Sequence, residues 1–510
     1  MSRTSAIELP SIGARRVSPS RVDPVRLSIL TAIAACGVAL VTALYFVHGL
    51  EWPSADDNYR DLAQAQATLD GHPFSDPFLS GEWIWYNPLL PWIVALGASL
   101  TGRSLAAFHV QAGPWLNLIG PIAFYLVAVR VAGRHSALIG LVLFLFVNGQ
   151  TDTSRDHGTY GPWLFTASFA QGLFYMTIVA LRKARNDQAL RSATLVGVLI
   201  GLTLLAHTGP AVVLALVTIS VLKPRTWIVA GLVAVIVASP YLYPIVVHYG
   251  GHVRNLVPMS GGLWLTASVV RFPELLWTNA FLLVCATAGL FMLKDRLVAT
   301  WFAVSVSLVG YGLWCDLIPG LPRLVPNFHF WRYALGALTV YAGVAIWWLI
   351  RRVMDQRADL AVSVVAMVVV GVVYPTYLER PDFWGRRLSE NRMPNGWLTP
   401  YIRAHTSPGE VVLAPVDVSL QLVGPSGRNV VALHPIFSNP YVDPAGRLRD
   451  HAEMFDALRA GDALRFFAVA DSYQIRHVAA AKEDDCDTFD RAPLLLMKRD
   501  GHACLFSVIR

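Results

Sequence analysis

Charged residues are scarce in this chain. Only 15% of its 510 residues are Asp, Glu, Lys or Arg, whereas 55% are hydrophobic and the mean hydropathy is +0.48. Soluble domains carry about 25% charged residues, so the composition excludes an ordinary soluble protein and predicts a polytopic membrane protein. The net charge of +7 comes from short basic clusters between apolar runs. Such clusters are typical of topology signals, and they argue against a nucleic-acid partner.

Cysteine is also rare. The five cysteines show neither a CxxC motif nor a Cys/His metal spacing, so no zinc site or thiol-redox function is indicated. Cys486 and Cys504 are able to pair if their domain is extracytoplasmic. The chain also lacks internal repeats and low-complexity tracts, which weighs against a transporter built from inverted repeats.

The first apolar run, residues 27–47, is longer than the core of a signal peptide and predicts a retained transmembrane helix. Arginines precede it, so the N-terminus is expected to stay in the cytoplasm. Residues 1–24, rich in Ser, Pro and Arg, are predicted to be a disordered cytoplasmic tail. Those arginines are Arg15, Arg16, Arg21 and Arg26.

Basic and non-basic loops alternate between the remaining apolar runs. If every basic junction is cytoplasmic, the chain has about eleven spans, and the last, near 360–378, delivers the C-terminal segment to the outside. Pro88 to Leu100 covers only about 20 Å of a roughly 30 Å hydrocarbon core, so it is predicted to be a juxtamembrane helix. The basic junctions are Arg130/Arg134, Arg182/Lys183/Arg185/Arg191, Lys223/Arg225, Lys294/Arg296 and Arg351/Arg352/Arg357.

Three further runs, 136–148, 193–206 and 209–222, are too short to cross comfortably. The turn His207-Thr208-Gly209-Pro210 between the last two is therefore expected below the outer surface, and Asn148 and Gln150 likewise. Non-helical backbone at that depth is tolerated only beside protein or a water-filled cavity. The short runs predict a polar cavity that opens to the outside.

Residues 379–510 change in character. Polar residues and Pro/Gly become frequent, strand-like runs occur at 410–414 and 429–433, and a helical pattern covers Arg449 to Arg459. This segment is predicted to be a small periplasmic α/β domain.

Three stretches carry a family resemblance. An acidic pair opens Asp56-Asp57-Asn58-Tyr59-Arg60-Asp61-Leu62-Ala63-Gln64-Ala65, the aromatic-Pro stretch 82–91 leads into the juxtamembrane helix, and the tail begins at 396–402. The chain resembles the GT-C class of integral-membrane glycosyltransferases, which take sugars from polyprenyl-phosphate carriers. This resemblance implies a GT-C-like helical bundle at 25–378, with a first outer loop at 51–103.

The resemblance also implies a setting and partners. The expected location is a bacterial inner membrane, with transfer at its outer face. The expected donor is a polyprenyl-phosphate-linked sugar, and the acceptor is a cell-envelope glycan, lipid or protein. Within this class, the chain resembles the bacterial aminoarabinose, arabinofuranosyl and mannosyl transferases.

Inverting sugar transfer needs a carboxylate to activate the acceptor hydroxyl on the face opposite the leaving phosphate. Asp57 or Asp56 is the candidate base, and the GT-C resemblance points to the same loop. The alternative is that one of them caps a helix starting near Asn58, since Asp is a favoured N-cap residue. Two adjacent carboxylates suit a divalent cation such as Mg²⁺ or Mn²⁺, or a metal-free mechanism, and both stay open.

The departing phosphate needs positive charge. Arg332 opposes the topology bias because it lies on the outer side, and its guanidinium can clamp a phosphate through two hydrogen bonds. Snorkelling to lipid headgroups is the alternative. Further candidates for the donor phosphate are His207, Arg254, Arg155 and His329. The alternatives are a structural role for His207, interface anchoring for Arg254 and a solvated loop around Arg155.

Candidate groups for the acceptor or the sugar are acidic and aromatic. Aromatic rings can stack on sugars, but they also form the interfacial belts of membrane proteins, and the belt is the first interpretation here. These candidates are Asp156, His157, Glu82, Trp85, Tyr86 and Tyr59.

A transporter or flippase of lipid-linked material would also use a polar intramembrane cavity with an acidic pair. The outer α/β domain and the long acidic first loop favour transfer at the outer face over alternating access. A structural or receptor-like protein is a third class, but buried polar groups would be a needless cost for it.

Overall fold

The structure is a computed structural model. It describes residues 23–53, 56–147, 160–260, 273, 276–277, 279–318, 321, 325–326, 328–378, 395–490 and 493–509. Up to residue 378 the described chain is almost entirely helical. The predicted N-terminal tail lies outside the described residues, apart from Asp23 and Pro24.

Fifteen helices make up this part. They are α1 (Pro24–Val47), α2 (Asp56–Leu69), α3 (Leu89–Thr101), α4 (Leu105–Asn117), α5 (Ile119–Ala132), α6 (Arg134–Val142), α7 (Thr166–Asp187), α8 (Leu190–Ala206), α9 (Thr208–Val221), α10 (Pro224–Tyr243), α11 (Val257–Ser260), α12 (Ala280–Met292), α13 (Arg296–Leu317), α14 (Phe328–Met354) and α15 (Ala358–Leu378). Short π-helical turns, Leu143–Val147 and Pro244–His248, extend α6 and α10.

Sequence-local signals explain where several of these helices begin. Asp23 accepts a hydrogen bond from the Val25 amide, and Pro24 occupies the first helical position of α1. Asp295 caps α13 by accepting from the Leu297 and Val298 amides, and its other oxygen accepts from Arg182 at 2.5 Å.

Among the described residues, five helical stretches are long and apolar enough to cross a membrane. This is the pattern of a multi-pass membrane protein. Close helix contacts include that of α12 with α14, where a Cβ at Gly289 would collide with the Tyr341 carbonyl oxygen. The five stretches are Val25–Val47, Leu105–Ala132, Pro224–His248, Arg296–Cys315 and His329–Leu378, and shorter apolar helices lie between them.

Three local features can be compared with the expectations. The short helix expected at 88–100 is α3. The turn expected over residues 207–210 is narrower, because only His207 is extended (φ −164°, ψ 134°) and α9 begins at Thr208. Pro210 lies in the first turn of α9, where proline is tolerated. Asn148 and Gln150 lie outside the described residues.

The C-terminal segment folds as a mixed sheet with helices. Its strands are β1 (Val411–Leu413), β2 (Asn429–Val430), β3 (His477–Ala480), β4 (Leu494–Asp500) and β5 (Ala503–Val508), in the order β2-β1-β3-β5-β4. Strand β1 is parallel to β2 and β3, whereas β5 is antiparallel to β3 and β4. The helices are α16 (Leu398–His405), α17 (Val416–Val418), α18 (Pro444–Ala460), α19 (Ala463–Ala470) and α20 (Glu483–Phe489).

Cys486 and Cys504 form a disulfide, with their Cα atoms 5.9 Å apart. This bond connects α20 to β5. The strand expected over residues 429–433 is shorter than expected: β2 ends at Val430, and the chain then leaves the sheet. The reason is that the Val430 amide donates to the Phe78 carbonyl of the first loop at 2.7 Å instead of extending the sheet.

The sheet domain packs on the first loop and on α2 through a shared apolar core. Leu62 and Phe78 of the first loop contribute to this core together with Leu398, Ile402 and Val423. The approach is close, because a Cβ at Gly424 would collide with the Phe78 ring. Loop 51–103 and the C-terminal domain are therefore one packed unit.

An ion-pair network at the end of α2 reinforces this contact. Asp70, whose side chain is only 8% exposed, accepts hydrogen bonds from Arg403 at 2.8 and 3.0 Å. Arg428, only 3% exposed, lies 3.8 Å from the same carboxylate. Its Nε donates to the Thr406 hydroxyl at 2.6 Å, and its two Nη atoms donate to backbone carbonyls of residues 403, 406, 426 and 427.

We expect Asp70→Asn to destabilise the contact between loop 51–103 and the C-terminal domain. The change leaves two guanidinium groups short of a carboxylate, which costs about 1–3 kcal/mol. The measurement is thermal unfolding, with limited proteolysis of the C-terminal domain. Glu453→Gln is the control, because the Glu453–Arg465 pair is largely exposed and exposed pairs contribute little. Equal melting of the two variants would contradict the prediction.

Candidate functional site

The acidic pair lies in the first turn of α2, which begins at Asp56 rather than near Asn58. Carboxylates are favoured there because the helix dipole presents positive charge. Asp56 is exposed and accepts a hydrogen bond from Gln421 of the C-terminal domain at 3.2 Å. Asp57 is half-exposed and pairs with Arg60 one turn later, with 2.9 Å between Oδ1 and Nη2. The two carboxylates therefore have different partners.

Arg60 and Asp61 lie on the buried side of the same turn. Their residues are 6% and 1% exposed. The Arg60 guanidinium lies 3.4 Å from the centre of the Tyr86 ring, a cation–π contact. Burial raises the pKa of Asp61 to about 8, with Arg60 opposing and Asp57 adding to the rise. Both Asp61 carboxylate oxygens lack a hydrogen-bond partner among the described residues.

Side chains at the end of the first loop connect α2 to the membrane bundle. The Tyr86 hydroxyl lies 2.9 Å from the Thr166 hydroxyl at the start of α7. Asn87 donates to the Leu204 carbonyl at the end of α8 and, at 3.3 Å, to the hydroxyl of Thr208. Arg60 is thus held close to the junction of α8 and α9.

His207 is the only extended residue at that junction. Its Nδ1 accepts a hydrogen bond from the Gly209 amide at 3.1 Å, which caps α9. Its ring centre lies 4.6 Å from that of His329, near the start of α14. One turn further along α14, Arg332 is 2% exposed, and its Nη1 donates to the Ser168 hydroxyl at 3.4 Å.

The positive charges of Arg332 and Arg60 are both close enough to the His207 ring to act on it. We call Arg60 and Arg332, together with the His207 and His329 rings, the cationic cluster, after its two guanidinium groups. Residues from α2, the α8–α9 junction and α14 thus converge beside the acidic pair. Three of its members were separate candidates for phosphate binding, and the structure brings them together.

Other candidate residues occupy different positions. Arg254 is exposed, and its backbone amide donates to the Pro440 carbonyl of the C-terminal domain. Glu82 accepts a hydrogen bond from the Tyr249 hydroxyl at 3.0 Å near the same contact. Both residues border the C-terminal domain. Arg155, Asp156 and His157 lie outside the described residues.

The aromatic candidates also differ in accessibility. Tyr59 is buried in the core shared with the C-terminal domain, and its hydroxyl donates to the Pro53 carbonyl at 2.8 Å. Trp85 is 9% exposed and packs edge-on against Tyr86, which stacks on Arg60. Of this group, Tyr86 is the one in direct contact with the cationic cluster.

Sequence reasoning missed Arg60 and Asp61 as site residues. The pattern of α2 suggests a helix lying on a surface, where charged residues are expected to face water. The sequence does carry a signal. Arg60 follows Asp57 by three residues and Asp56 by four, the spacing at which side chains on a helix meet, and Asp61 comes directly after it.

Within the described residues, no group of three or more His, Cys, Asp or Glu side chains is placed to hold a metal ion. The acidic pair would supply at most two side chains to a cation bound there. Substrate and water would have to provide the other ligands, as they commonly do for Mg²⁺.

Neither a protein-family model nor a curated protein sequence matches the chain. Solved structures do share its fold. ArnT from Cupriavidus metallidurans in the apo state is 12% identical, over 93% of this chain and 97% of ArnT, with a TM-score of 0.56. The same ArnT bound to undecaprenyl phosphate gives a TM-score of 0.53.

Two further structures, both of glycosyl-transferring enzymes, also share the fold. The oligosaccharyltransferase of Archaeoglobus fulgidus is 11% identical, over 88% of this chain and 69% of its own, with a TM-score of 0.52. Mycobacterial arabinofuranosyltransferase AftD is 13% identical, over 96% of this chain but only 42% of AftD, with a TM-score of 0.56. The chain therefore has the fold of the GT-C superfamily, which confirms the resemblance noted in the sequence.

The buried Asp61 predicts a pH dependence of stability. The carboxyl ionises near 3.8 in the unfolded chain and near 8 in the folded protein. Between about pH 4 and pH 8 the folded state therefore binds an extra proton, and raising the pH destabilises it. We expect Asp61→Asn to flatten this slope and to stabilise the protein by on the order of 2 kcal/mol near pH 8.

Melting temperatures across this pH range test the effect. Asp76→Asn is the comparison variant: burial raises the pKa of Asp76 only to about 6, so this change should flatten the slope only below about pH 6, and buried Asp76 accepts hydrogen bonds from the Phe78 and Leu79 amides and from Asn439. An asparagine there cannot accept all of these, so this variant should be less stable. Parallel curves for Asp61→Asn and the native protein would refute the assignment.

Proposed function

We propose that the protein is an integral-membrane glycosyltransferase. It moves a sugar from a polyprenyl-phosphate donor to a cell-envelope glycan, lipid or protein acceptor at the outer face of a bacterial inner membrane. The observation that carries this proposal is the position of the acidic pair one helical turn from the buried cationic cluster. A base for the acceptor and positive charge for the leaving phosphate are what inverting transfer requires.

In the proposed reaction, Asp57 accepts the proton of the acceptor hydroxyl as its oxygen attacks the anomeric carbon. The bond between that carbon and the phosphate oxygen breaks, and the phosphate leaves with the bonding electrons. Arg332, His207 and His329 stabilise the charge that develops on it. Attack opposite the phosphate inverts the anomeric configuration.

Asp57 is a better candidate than Asp56 because of its position. The Asp57 carboxylate faces Arg60 and therefore the cationic cluster, whereas Asp56 is exposed and accepts a hydrogen bond from the C-terminal domain. Asp56 is the alternative base, or it orients the acceptor. If a divalent cation takes part, this pair would be its protein ligand.

The contact between loop 51–103 and the C-terminal domain supports the proposed topology. Parts that pack on each other lie on the same side of the membrane, so an even number of spans must separate them. In the part of the chain that the structure describes, ten helical units follow the loop, and with α1 they would make eleven spans. These ten are α4 with α5, α6 with its π turn, α7, α8, α9, α10 with its π turn, α12, α13, α14 and α15.

We place that side outside, with the N-terminus in the cytoplasm. Two features support this orientation. The basic junctions alternate as the positive-inside rule requires. The disulfide between Cys486 and Cys504 is typical of an oxidising compartment such as the periplasm.

We expect Asp57→Asn to reduce transfer by about 10²- to 10⁴-fold, since asparagine keeps the shape of the side chain but cannot take up a proton. Binding of polyprenyl phosphate should not weaken. The measurement is transfer by purified protein from a panel of polyprenyl-phosphate sugars. Asp56→Asn is the paired variant and should retain more activity. Near-normal turnover in both variants would remove this loop from the chemistry and would favour a flippase.

Arg332→Ala should weaken donor binding by about 10- to 100-fold, because a charged hydrogen bond to phosphate contributes roughly 1.5–3 kcal/mol. Arg332→Lys should give an intermediate loss, since lysine keeps the charge without the two-pronged geometry. The KM for the donor and the affinity for polyprenyl phosphate are the measurements. Arg191→Ala, at an exposed site on a basic junction, is the control. An unchanged KM in Arg332→Ala would exclude the phosphate contact.

A further inference from the structure

The Arg60 guanidinium is unusual because it is buried and its Nε has no hydrogen-bond partner among the described residues. A guanidinium has five N–H groups. Its Nη2 donates to Asp57 at 2.9 Å, whereas the Asp61 oxygen nearest to Nε is 3.9 Å away. The Tyr86 ring covers the face of the group. Buried charged groups are normally fully hydrogen-bonded, so this arrangement leaves capacity for an anionic ligand.

The position of Arg60 indicates which anion it would meet. Its guanidinium and that of Arg332 both lie within electrostatic range of His207. Tyr86, which stacks on Arg60, is tied to the start of α7 through Thr166. Ser168, the partner of Arg332, lies on the same turn of α7. Arg60 and Arg332 therefore both lie near the first turn of α7 and near His207.

The ion pair of Arg60 with Asp57 is weaker than the contact that a phosphate would make with Arg60. Asp57 is 47% exposed on its side chain, and the pair is a local contact between residues three apart on a helix. Exposed pairs of this kind contribute little to stability. A phosphate in the buried region would offer several oxygens in the geometry that a guanidinium matches best.

We propose that Arg60 is a further cation of the donor phosphate site, and that it exchanges Asp57 for the phosphate when polyprenyl phosphate binds. Arg60 is then a positioning residue for the base. Without donor it occupies the carboxylate, and with donor bound it leaves Asp57 available for the acceptor hydroxyl. This inference rests on the proposed function, and it adds a reason for the donor to bind first.

The test measures the affinity of the full-length purified protein for polyprenyl phosphate in four forms: native, Asp57→Asn, Arg60→Gln and the double variant. Arg60→Gln should weaken binding by about 10- to 100-fold. Asp57→Asn should tighten it by about 3- to 10-fold, because the competing carboxylate is gone. The double variant should bind like Arg60→Gln, because the competition exists only when Arg60 is present.

Two results would overturn the exchange. One is an Arg60→Gln variant that binds polyprenyl phosphate as tightly as the native protein. The other is an equal gain from Asp57→Asn in both backgrounds, since that reports plain charge repulsion. Arg60→Lys covers the case in which Arg60→Gln does not fold. Weaker binding by Arg60→Lys supports the proposal, and native-like binding contradicts it.

The controls separate this inference from the proposed function. If native protein does not bind polyprenyl phosphate, or Arg332→Ala binds as well as native, the donor site itself is wrong. If native protein binds, Arg332→Ala binds weakly and the Arg60 variants bind normally, only the exchange fails. Arg191→Ala, at an exposed basic junction, should bind like the native protein throughout.

Discussion

The burial of α2 is the constraint on which the rest of the site depends. Nine consecutive residues of this helix, Asn58 to Gln66, are buried. A helix lying on a surface buries one face only, but here the C-terminal domain covers α2 on one side and α3 and α4 cover another. Because α2 carries Arg60, Asp61 and two glutamines, this burial forces charged groups into protein. Buried charge is costly unless paired or used.

The membrane bundle supplies the other half of the site through an interruption. Helices α8 and α9 are too short to cross comfortably, and their junction exposes polar groups that a continuous helix would have satisfied. Asn87 and the His207 side chain bind those groups. The same interruption places the His207 imidazole where the charges of two buried arginines, Arg60 and Arg332, both act on it. A membrane protein tolerates such a break only beside protein or a water-filled cavity. The polar side chains of the cationic cluster provide such surroundings for the break.

The sequence was a good guide where the signal is local. Helix α3 and the interruption at His207 follow from the lengths of the apolar runs, and the GT-C fold follows from the family resemblance of the first loop and the tail. Contacts between distant residues were harder to foresee. His207, His329 and Arg332 were separate candidates, because nothing in the spacing of residues 207 and 329 says that their rings will meet. Arg60 and Asp61 were missed because their burial depends on tertiary contacts: the Tyr86 ring covers the Arg60 guanidinium, and the C-terminal domain, more than 300 residues away in the chain, packs on another side of α2, as the contact of Asp70 with Arg403 illustrates.

In the proposed reaction, two successive turns of α2 carry groups with different roles. Its start, at Asp56 and Asp57, is accessible to an acceptor that arrives from water. Its next turn, at Arg60 and Asp61, faces protein and the cationic cluster. A lipid-linked donor would approach from the membrane side, and an acceptor from the opposite side. In the proposed reaction the helix therefore separates base from leaving group by a single turn. Attack opposite the phosphate requires the base and the phosphate-binding cations at opposite faces of the sugar, so the 2.9 Å pair of Asp57 with Arg60 has to open before Asp57 can act as that base.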